Sequence, residues 1–119
     1  DASAGALRHS WLALAQGGPL AVILSDTFGR PFREGSVNVA IGVAGMPATS
    51  DHRGKTDPQG YLLHASLIGS ADEIAGLGEL VMGKVDQLPL AVVRGLSWGG
   101  REHGSPPLLR AEGRDIFRR

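Results

Sequence analysis

Residues 20–43, LAVILSDTFGRPFREGSVNVAIGV, contain the two strand patterns on which our fold prediction rests. Residues 20–24 form an uninterrupted apolar run, which is long enough for a strand buried on both faces and too short for a helix. We expect Ser25 and Asp26 to end this strand. Residues 37–43 then alternate apolar side chains with small or polar ones, which is the period of a second strand. The polar residues between the two patterns predict a connecting loop.

Two helices are predicted outside this stretch. Residues 1–16 and 70–82 each place apolar side chains three and four positions apart, as on one face of an amphipathic helix. Asp1 is a candidate N-cap for the first helix, as is Ser3, and the Gly-Gly-Pro sequence at 17–19 is expected to end it.

Shorter strand patterns follow at residues 61–68 and 90–93, and a turn-rich stretch lies at 46–60. Together these patterns predict a mixed α+β fold with short strands and two main helices. Because the pieces do not close a sheet by themselves, we expect a partner segment or a second copy of the chain to complete the core.

The composition excludes several classes of protein. The 12 Lys and Arg residues are balanced by 12 Asp and Glu residues, so the chain lacks the basic excess of a typical nucleic-acid binder. Gly, Pro or a charged residue interrupts every apolar run well before the ~18 residues of a membrane-spanning helix. The absence of Cys excludes disulfides and thiolate metal sites and fits a reducing compartment, so we expect a cytoplasmic protein.

A candidate ligand site follows the first predicted strand. Asp26 would lie just past the end of that strand, where α/β proteins commonly bind ligands. Gly29 would let the backbone approach a phosphate, and the guanidinium groups of Arg30 and Arg33 suit phosphate or carboxylate oxygens. The alternative is that Asp26 only turns the chain and both arginines are solvated.

A second candidate site opens the predicted helix at 70–82. Asp72 and Glu73 are adjacent carboxylates, a donor type that suits Mg²⁺ or Mn²⁺. Glu73 also completes a capping box with Ser70, and taken alone this pattern favours a cap for Glu73. Asp72 and Asp26 together can bridge two metal ions if the fold brings them close.

Two further stretches resemble ligand sites. Residues 78–85 have the spacing of a phosphate-binding P-loop, but they continue the predicted helix, so Gly83 is better explained as its C-cap. Lys84 would then complement the negative helix end, with a phosphate or substrate contact as the alternative. Residues 51–60 contain five ionisable side chains and can close over an anionic ligand, although Asp57 fits a type I turn better than a catalytic role.

Read in order, these blocks resemble the later half of the catalytic domain in the coenzyme F420-0:L-glutamate ligase (F420 gamma-glutamyl ligase) family. The resemblance covers nearly the whole chain. It implies that residues 1–119 are one partial domain, whose fold is completed by an absent N-terminal half or by a dimer partner. The matching blocks are DASA at 1–4, SDTFGRPFREG at 25–35, VAIGVAG at 39–45, DHRG at 51–54, ADE at 71–73, VMGK at 81–84, VRG at 93–95, and the ending LR at 109–110 with DIFR at 115–118.

The resemblance implies a ligase that depends on GTP and on a divalent metal, Mg²⁺ or Mn²⁺, with two metal sites possible and K⁺ as a further ion. Such an enzyme activates a terminal carboxylate of F420-0 as an acyl phosphate, which the amine of L-glutamate then attacks to form an amide. The resemblance also implies an intertwined homodimer with the nucleotide near the subunit interface.

The resemblance also assigns roles to individual residues. It places the metal carboxylates on Asp26, Asp72 and Glu73, and for Glu73 it favours metal ligation over the cap. Arg30 and Arg33 would stabilise the transferring phosphoryl group. The residues it places beside the nucleotide are Gly29, Glu102, Gly104 and Ser105.

Two departures from the family pattern stand out. This chain has Gly-Ser-Val-Asn at 35–38 where family members often have Gly-Gln-x-Asp, and an N-terminal half precedes the matching region in the family. Two other classes of function therefore stay open: a non-catalytic module for dimerisation or nucleotide binding, and a metal-dependent phosphohydrolase.

Overall fold

The computed structural model describes residues 1–16 and 18–115 and shows a mixed α+β fold, as predicted. Two short 3₁₀ turns, Pro106–Leu108 and Glu112–Arg114, follow the last helix. The elements are α1 (Ala2–Leu12), β1 (Val22–Gly29), β2 (Ser36–Ala44), β3 (Ser50–Asp51), β4 (Leu67–Ile68) and α2 (Ser70–Met82). Gly17 of the predicted helix stop and residues 116–118 of the ending block lie outside the described residues.

Strands β1 and β2 form an antiparallel ribbon that runs from the Val22–Ala44 pair to the Gly29–Ser36 pair. The prediction that the first strand ends at Ser25 and Asp26 is therefore wrong. Polar residues continue the ladder because β2 supplies backbone partners along its whole length. The prediction that this strand is buried on both faces is also wrong, because Val22 is the one buried residue of β1.

The two helices cover opposite faces of this ribbon. Side chains alternate between faces along a strand, and the buried clusters follow that alternation. Val22 and Ala44 pack with Ala4 of α1 on one face. Val43 and Ala40 lie in the other cluster, which contains Ala71 of α2. A register shift between Leu24 and Ser25, opposite an extra residue on β2, places Ala40 on the same face as Val43, beside α2.

The C-terminal end of α2 agrees with the prediction, whereas its N-terminal end does not. Gly83 has φ +63° and donates its N–H to the Glu79 carbonyl, so the predicted C-cap is confirmed and the P-loop interpretation is excluded. The capping box is absent, because Ser70 is already helical and its hydroxyl bonds to the Ser50 hydroxyl on β3 at 2.7 Å.

The predicted strand at 61–68 is reduced to β4, which pairs with β3, and to one bridge between Thr56 and Leu62. A tight turn precedes it, in which the Gly60 N–H bonds to the Asp57 carbonyl and the Asp57 carboxylate accepts two further N–H groups. The structural role predicted for Asp57 is thus confirmed. Residues 90–93 form no strand, since no described strand pairs with them. Across residues 1–16 and 18–115, no helix has the length and apolar character needed to cross a membrane.

Candidate functional site

Asp26 lies within β1, paired with Val39, and its side chain is exposed. Because it is two and four residues from Leu24 and Val22, it lies on the ribbon face that carries α1. Its Oδ1 accepts the Thr27 N–H at 2.7 Å. The carboxylate therefore projects from the side of a strand and not from the strand end that the sequence indicated.

Asp72 is half-buried in the first turn of α2, where its Oδ1 accepts the Ala40 N–H of β2 at 2.9 Å. Glu73 follows it and is exposed. The first turn of a helix favours carboxylates electrostatically, and the bond to β2 gives Asp72 a fixed orientation as well.

The carboxylates of Asp26 and Asp72 approach neighbouring residues of β2 from different sides. Asp26 pairs with Val39, whereas Asp72 binds the amide of Ala40 from the α2 side of the ribbon. Within the described ranges, no group of three or more His, Asp or Glu side chains is placed to hold a metal ion. Metal ligation by Asp26, Asp72 and Glu73 stays a prediction.

A polar network lies on the α2 face of the ribbon and was not predicted from the sequence. Asn38 is 7% exposed, and its amide donates to Glu79 Oε2 at 2.7 Å. The Lys84 ammonium lies 3.1 Å from Glu79 Oε1 and donates to Thr27 Oγ1 at 2.5 Å. The sequence signal was a lone Asn within an apolar strand pattern, because a polar residue there needs a buried partner. The network fixes α2 to the ribbon and holds the Lys84 charge beside Thr27.

The loop that joins β1 and β2 places the two predicted arginines differently. Arg30 folds back on its own loop, donating to the carbonyls of Gly35, at 3.0 Å, and Glu34. Arg33 is exposed, and its guanidinium makes no hydrogen bond within the described part of the chain. Gly29 ends β1 opposite Ser36. In this arrangement Arg30 organises the loop and Arg33 is the arginine available to an anion.

The segment at residues 98–105 is attached to the end of β2 at Gly45. The Trp98 indole donates to the Gly45 carbonyl at 3.0 Å, and the Gly45 N–H donates to Glu102 Oε1 at 2.7 Å. Glu102, predicted to contact nucleotide, thus has a structural contact in this fold.

Asp1 makes a second attachment of this segment. Its Oδ1 accepts the N–H groups of Val43 at 3.0 Å and of Ser105 at 2.9 Å. Gly104 has φ +68°, and a Cβ there would lie 2.6 Å from Asp1 Oδ2, so glycine permits this close approach. Asp1 occupies the N-cap position of α1, as predicted, but its carboxylate binds these amides and makes no cap bond to the helix.

A cavity of about 820 Å³ opens between the loop that contains β3 and the segment at residues 98–105. Its basic side chains are His52, Arg53, Lys55, Arg101, His103 and Arg114. Asp51 is the carboxylate among its lining residues, and Arg53 binds both of its oxygens, at 2.8 and 2.6 Å. This hydrogen-bonded guanidinium holds the pKa of the Asp51 carboxyl well below its usual range.

Comparison with known proteins shows which family the chain belongs to. The family model described as F420-0:gamma-glutamyl ligase matches residues 1–95, from α1 through the chain beyond α2. The chain belongs to the F420-0:gamma-glutamyl ligase family. Glu102, Gly104 and Ser105 lie outside the matched region of the family model.

Several relatives carry the name coenzyme F420:L-glutamate ligase. The Methanothermobacter thermautotrophicus protein is 47% identical over 107 residues, which cover 87% of this chain and 42% of the relative. The Methanopyrus kandleri protein is 41% identical over 123 residues, or 99% of this chain and 48% of the relative. The Methanocaldococcus jannaschii protein is 37% identical over 119 residues, or 99% of this chain and 47% of the relative. The chain thus spans about half the length of these family members.

Proposed function

We propose that this protein serves a ligase reaction in which L-glutamate is joined to coenzyme F420-0 at the expense of GTP. The observation that carries the proposal is the family match over residues 1–95, which contains Asp26, Asp72 and Glu73. The names of the relatives, at 37–47% identity, support glutamate and coenzyme F420 as the substrate classes.

In the proposed reaction, a carboxylate oxygen of F420-0 attacks the γ-phosphorus of GTP, and the bond to the β-phosphate oxygen breaks to release GDP. The amine of L-glutamate then attacks the acyl carbon, the carbon–nitrogen bond forms, and inorganic phosphate leaves with the former C–O electron pair. The amine loses its proton to solvent. Positioning and electrostatics dominate phosphoryl transfer of this kind.

The donor set of this chain fits a hard divalent cation. Mg²⁺ is commonly held by one or two carboxylates together with waters and substrate phosphates, so a complete protein cage is not required. Asp26 Oδ2 and Asp72 Oδ2 make no hydrogen bond among the described residues, so each is free to serve as a ligand, although the two side chains reach the ribbon from different sides. When bound, Mg²⁺ or Mn²⁺ neutralises phosphate charge. Glu73 and a K⁺ ion are further candidates in the same proposal.

The arginines of the β1–β2 loop and Asp72 have separate proposed roles. Arg33 is free to contact the transferring phosphoryl group, whereas Arg30 would have to leave the carbonyls of its own loop. Asp72 is oriented by the Ala40 amide.

A homodimer is part of the proposal. Outward-facing apolar residues of α2 support it, since Leu77, Leu80 and Val81 are 47%, 82% and 65% exposed. Exposed apolar surface of this kind is typical of association faces.

The proposal is tested by thermal unfolding with Mn²⁺ and GTP. Ligands that bind the folded state raise the unfolding temperature by mass action. We expect a shift with Mn²⁺ and GTP together that is lost in Asp26→Asn and Asp72→Asn and kept in the matched control Glu112→Gln. A shift of equal size in Asp26→Asn and Asp72→Asn would refute the metal assignment, and no shift in the wild-type protein would favour a non-catalytic module.

A further inference from the structure

We propose that the cavity between the β3 loop and residues 98–105 binds the phosphate or carboxylate oxyanions of a small-molecule substrate. Neither Asp26 nor Asp72 is among the lining residues of the cavity. It is lined by residues beyond the Ala44 end of the ribbon, whereas Asp26 pairs with Val39 farther along β2. The inference rests on the proposed function for the source of the ligand, and on the cavity itself for its chemistry.

The charge of the lining is the first argument. The chain as a whole has no net charge, yet the described lining residues of this cavity include four permanent cations and one carboxylate, that of Asp51. Arg53 neutralises that carboxylate. The other three cations, Lys55, Arg101 and Arg114, form no salt bridge within the described residues. Such a concentration of unpaired positive charge in a concave site attracts anions.

The chemistry of the donors is the second argument. Arginine presents a planar fork that binds phosphate or carboxylate oxygens in pairs, and lysine adds a point charge. His52 and His103 add ring nitrogens that donate or accept hydrogen bonds. This donor set fits an oxyanion with several oxygens better than a neutral ligand.

Both walls of the cavity are held in place. On one side, the backbone N–H of Gly54 donates to the Leu63 carbonyl at 2.8 Å and the backbone N–H of Lys55 donates to the His52 carbonyl at 3.1 Å. On the other, Glu102 and Trp98 fasten their segment to Gly45. Walls that are ordered before binding reduce the entropy lost when a ligand is bound.

The size of the cavity suits a small-molecule ligand. About 820 Å³ is within the range of pockets that enclose metabolites and nucleotides. The two sources within the proposed reaction are the triphosphate of GTP and the acidic groups of the acceptor F420-0.

The test is calorimetric titration of the protein with inorganic tripolyphosphate, at low salt and with EDTA present so that no metal-bridged site contributes. We expect saturable binding that weakens roughly tenfold in Arg101→Gln and in Lys55→Gln, which is the loss of one charge-assisted contact. Lys55→Arg, which keeps the charge, should retain most of the affinity. The matched control Arg110→Gln removes an exposed cation outside the cavity and should change affinity less than about twofold.

Competition between tripolyphosphate and each substrate then identifies which substrate supplies the oxyanion. If GTP displaces tripolyphosphate, the cavity takes the nucleotide phosphates; if F420-0 displaces it and GTP does not, the cavity takes the acceptor. No saturable binding, or equal weakening in Arg110→Gln and Arg101→Gln, would overturn the proposed site. Binding without ligase activity would refute the proposed function alone, and ligase activity without tripolyphosphate binding would refute this site alone.

Discussion

Asp1 Oδ1 accepts the backbone N–H of Ser105 at 2.9 Å, across a sequence separation of 104 residues. The same oxygen accepts the Val43 N–H at 3.0 Å, so one carboxylate joins the start of α1, the end of β2 and the segment at residues 98–105. That segment forms a wall of the basic cavity, and its position therefore depends on Asp1.

Asp1→Ala should release this wall. Two backbone N–H groups lose their acceptor, and we expect the free energy of unfolding to fall by about 1–3 kcal/mol. Hydrogen exchange at the Val43 and Ser105 amides should accelerate, while the amide of Gly83, which is bonded to the Glu79 carbonyl within α2, keeps its protection. Unchanged exchange at Ser105 would contradict the contact.

Gly45→Ala should be strongly destabilising. Gly45 has φ +88°, and a Cβ there would collide with the Leu20 carbonyl oxygen and the Arg8 side chain. We expect a loss of about 3 kcal/mol or more from backbone strain and steric overlap combined.

Gly54→Ala is the matched control for this substitution. Gly54 has a similar φ of +80°, but a Cβ there meets nothing within 4 Å, so strain alone should cost about 1 kcal/mol. Chemical denaturation of both variants measures the difference, and equal losses would contradict the close packing around Gly45.

The polar network around Asn38 can be tested by comparing the free energy of unfolding that is lost when two of its members are substituted. Asn38→Ala leaves Glu79 Oε2 without its buried amide donor, so we expect a loss of about 1–3 kcal/mol. Glu79→Gln retains a hydrogen-bonding side chain and mainly removes the ion pair with the exposed Lys84, which should cost less than about 1 kcal/mol. The reverse order in thermal or chemical unfolding would show that the ion pair dominates.

The Asp51 carboxyl should titrate well below its ordinary pKa of 3.8, because Arg53 is hydrogen-bonded to its ionised form. A folded-state pKa that is lowered adds stability above the unfolded-state pKa, and this stability is lost as the pH falls through the lowered value. The contribution is thus complete at neutral pH and disappears only in strong acid.

Carboxyl chemical shifts measured by NMR across an acid titration check this prediction. Arg53→Gln should raise the Asp51 pKa towards its ordinary value, although the backbone N–H of residue 53 still lowers it, whereas the control Lys55→Gln should leave the pKa unchanged. An ordinary pKa for Asp51 in the wild-type protein would show that the ion pair is absent in solution.

Local patterns predicted the parts of this fold that depend on neighbouring residues. The α+β class, the helix at 70–82 and its Gly83 cap are confirmed, as is the turn at Asp57. Each depends on contacts within a few positions of the chain, where propensity and capping rules apply.

Contacts between distant residues explain what the sequence did not predict. β1 continues past Asp26 because β2 pairs with it, although the residues involved are polar. The capping box fails because the Ser70 hydroxyl is engaged by Ser50, twenty positions away. Likewise, the bond from Asn38 to Glu79 spans 41 positions, and no local pattern encodes it.

The most direct measurement follows GDP and glutamylated product together when the protein is given F420-0, L-glutamate, GTP and Mn²⁺. The proposed ligase predicts one GDP released for each glutamyl group attached, with both products lost in Asp26→Asn and kept in Glu112→Gln. GDP release without any glutamylated product would contradict the ligase and would indicate a phosphohydrolase instead.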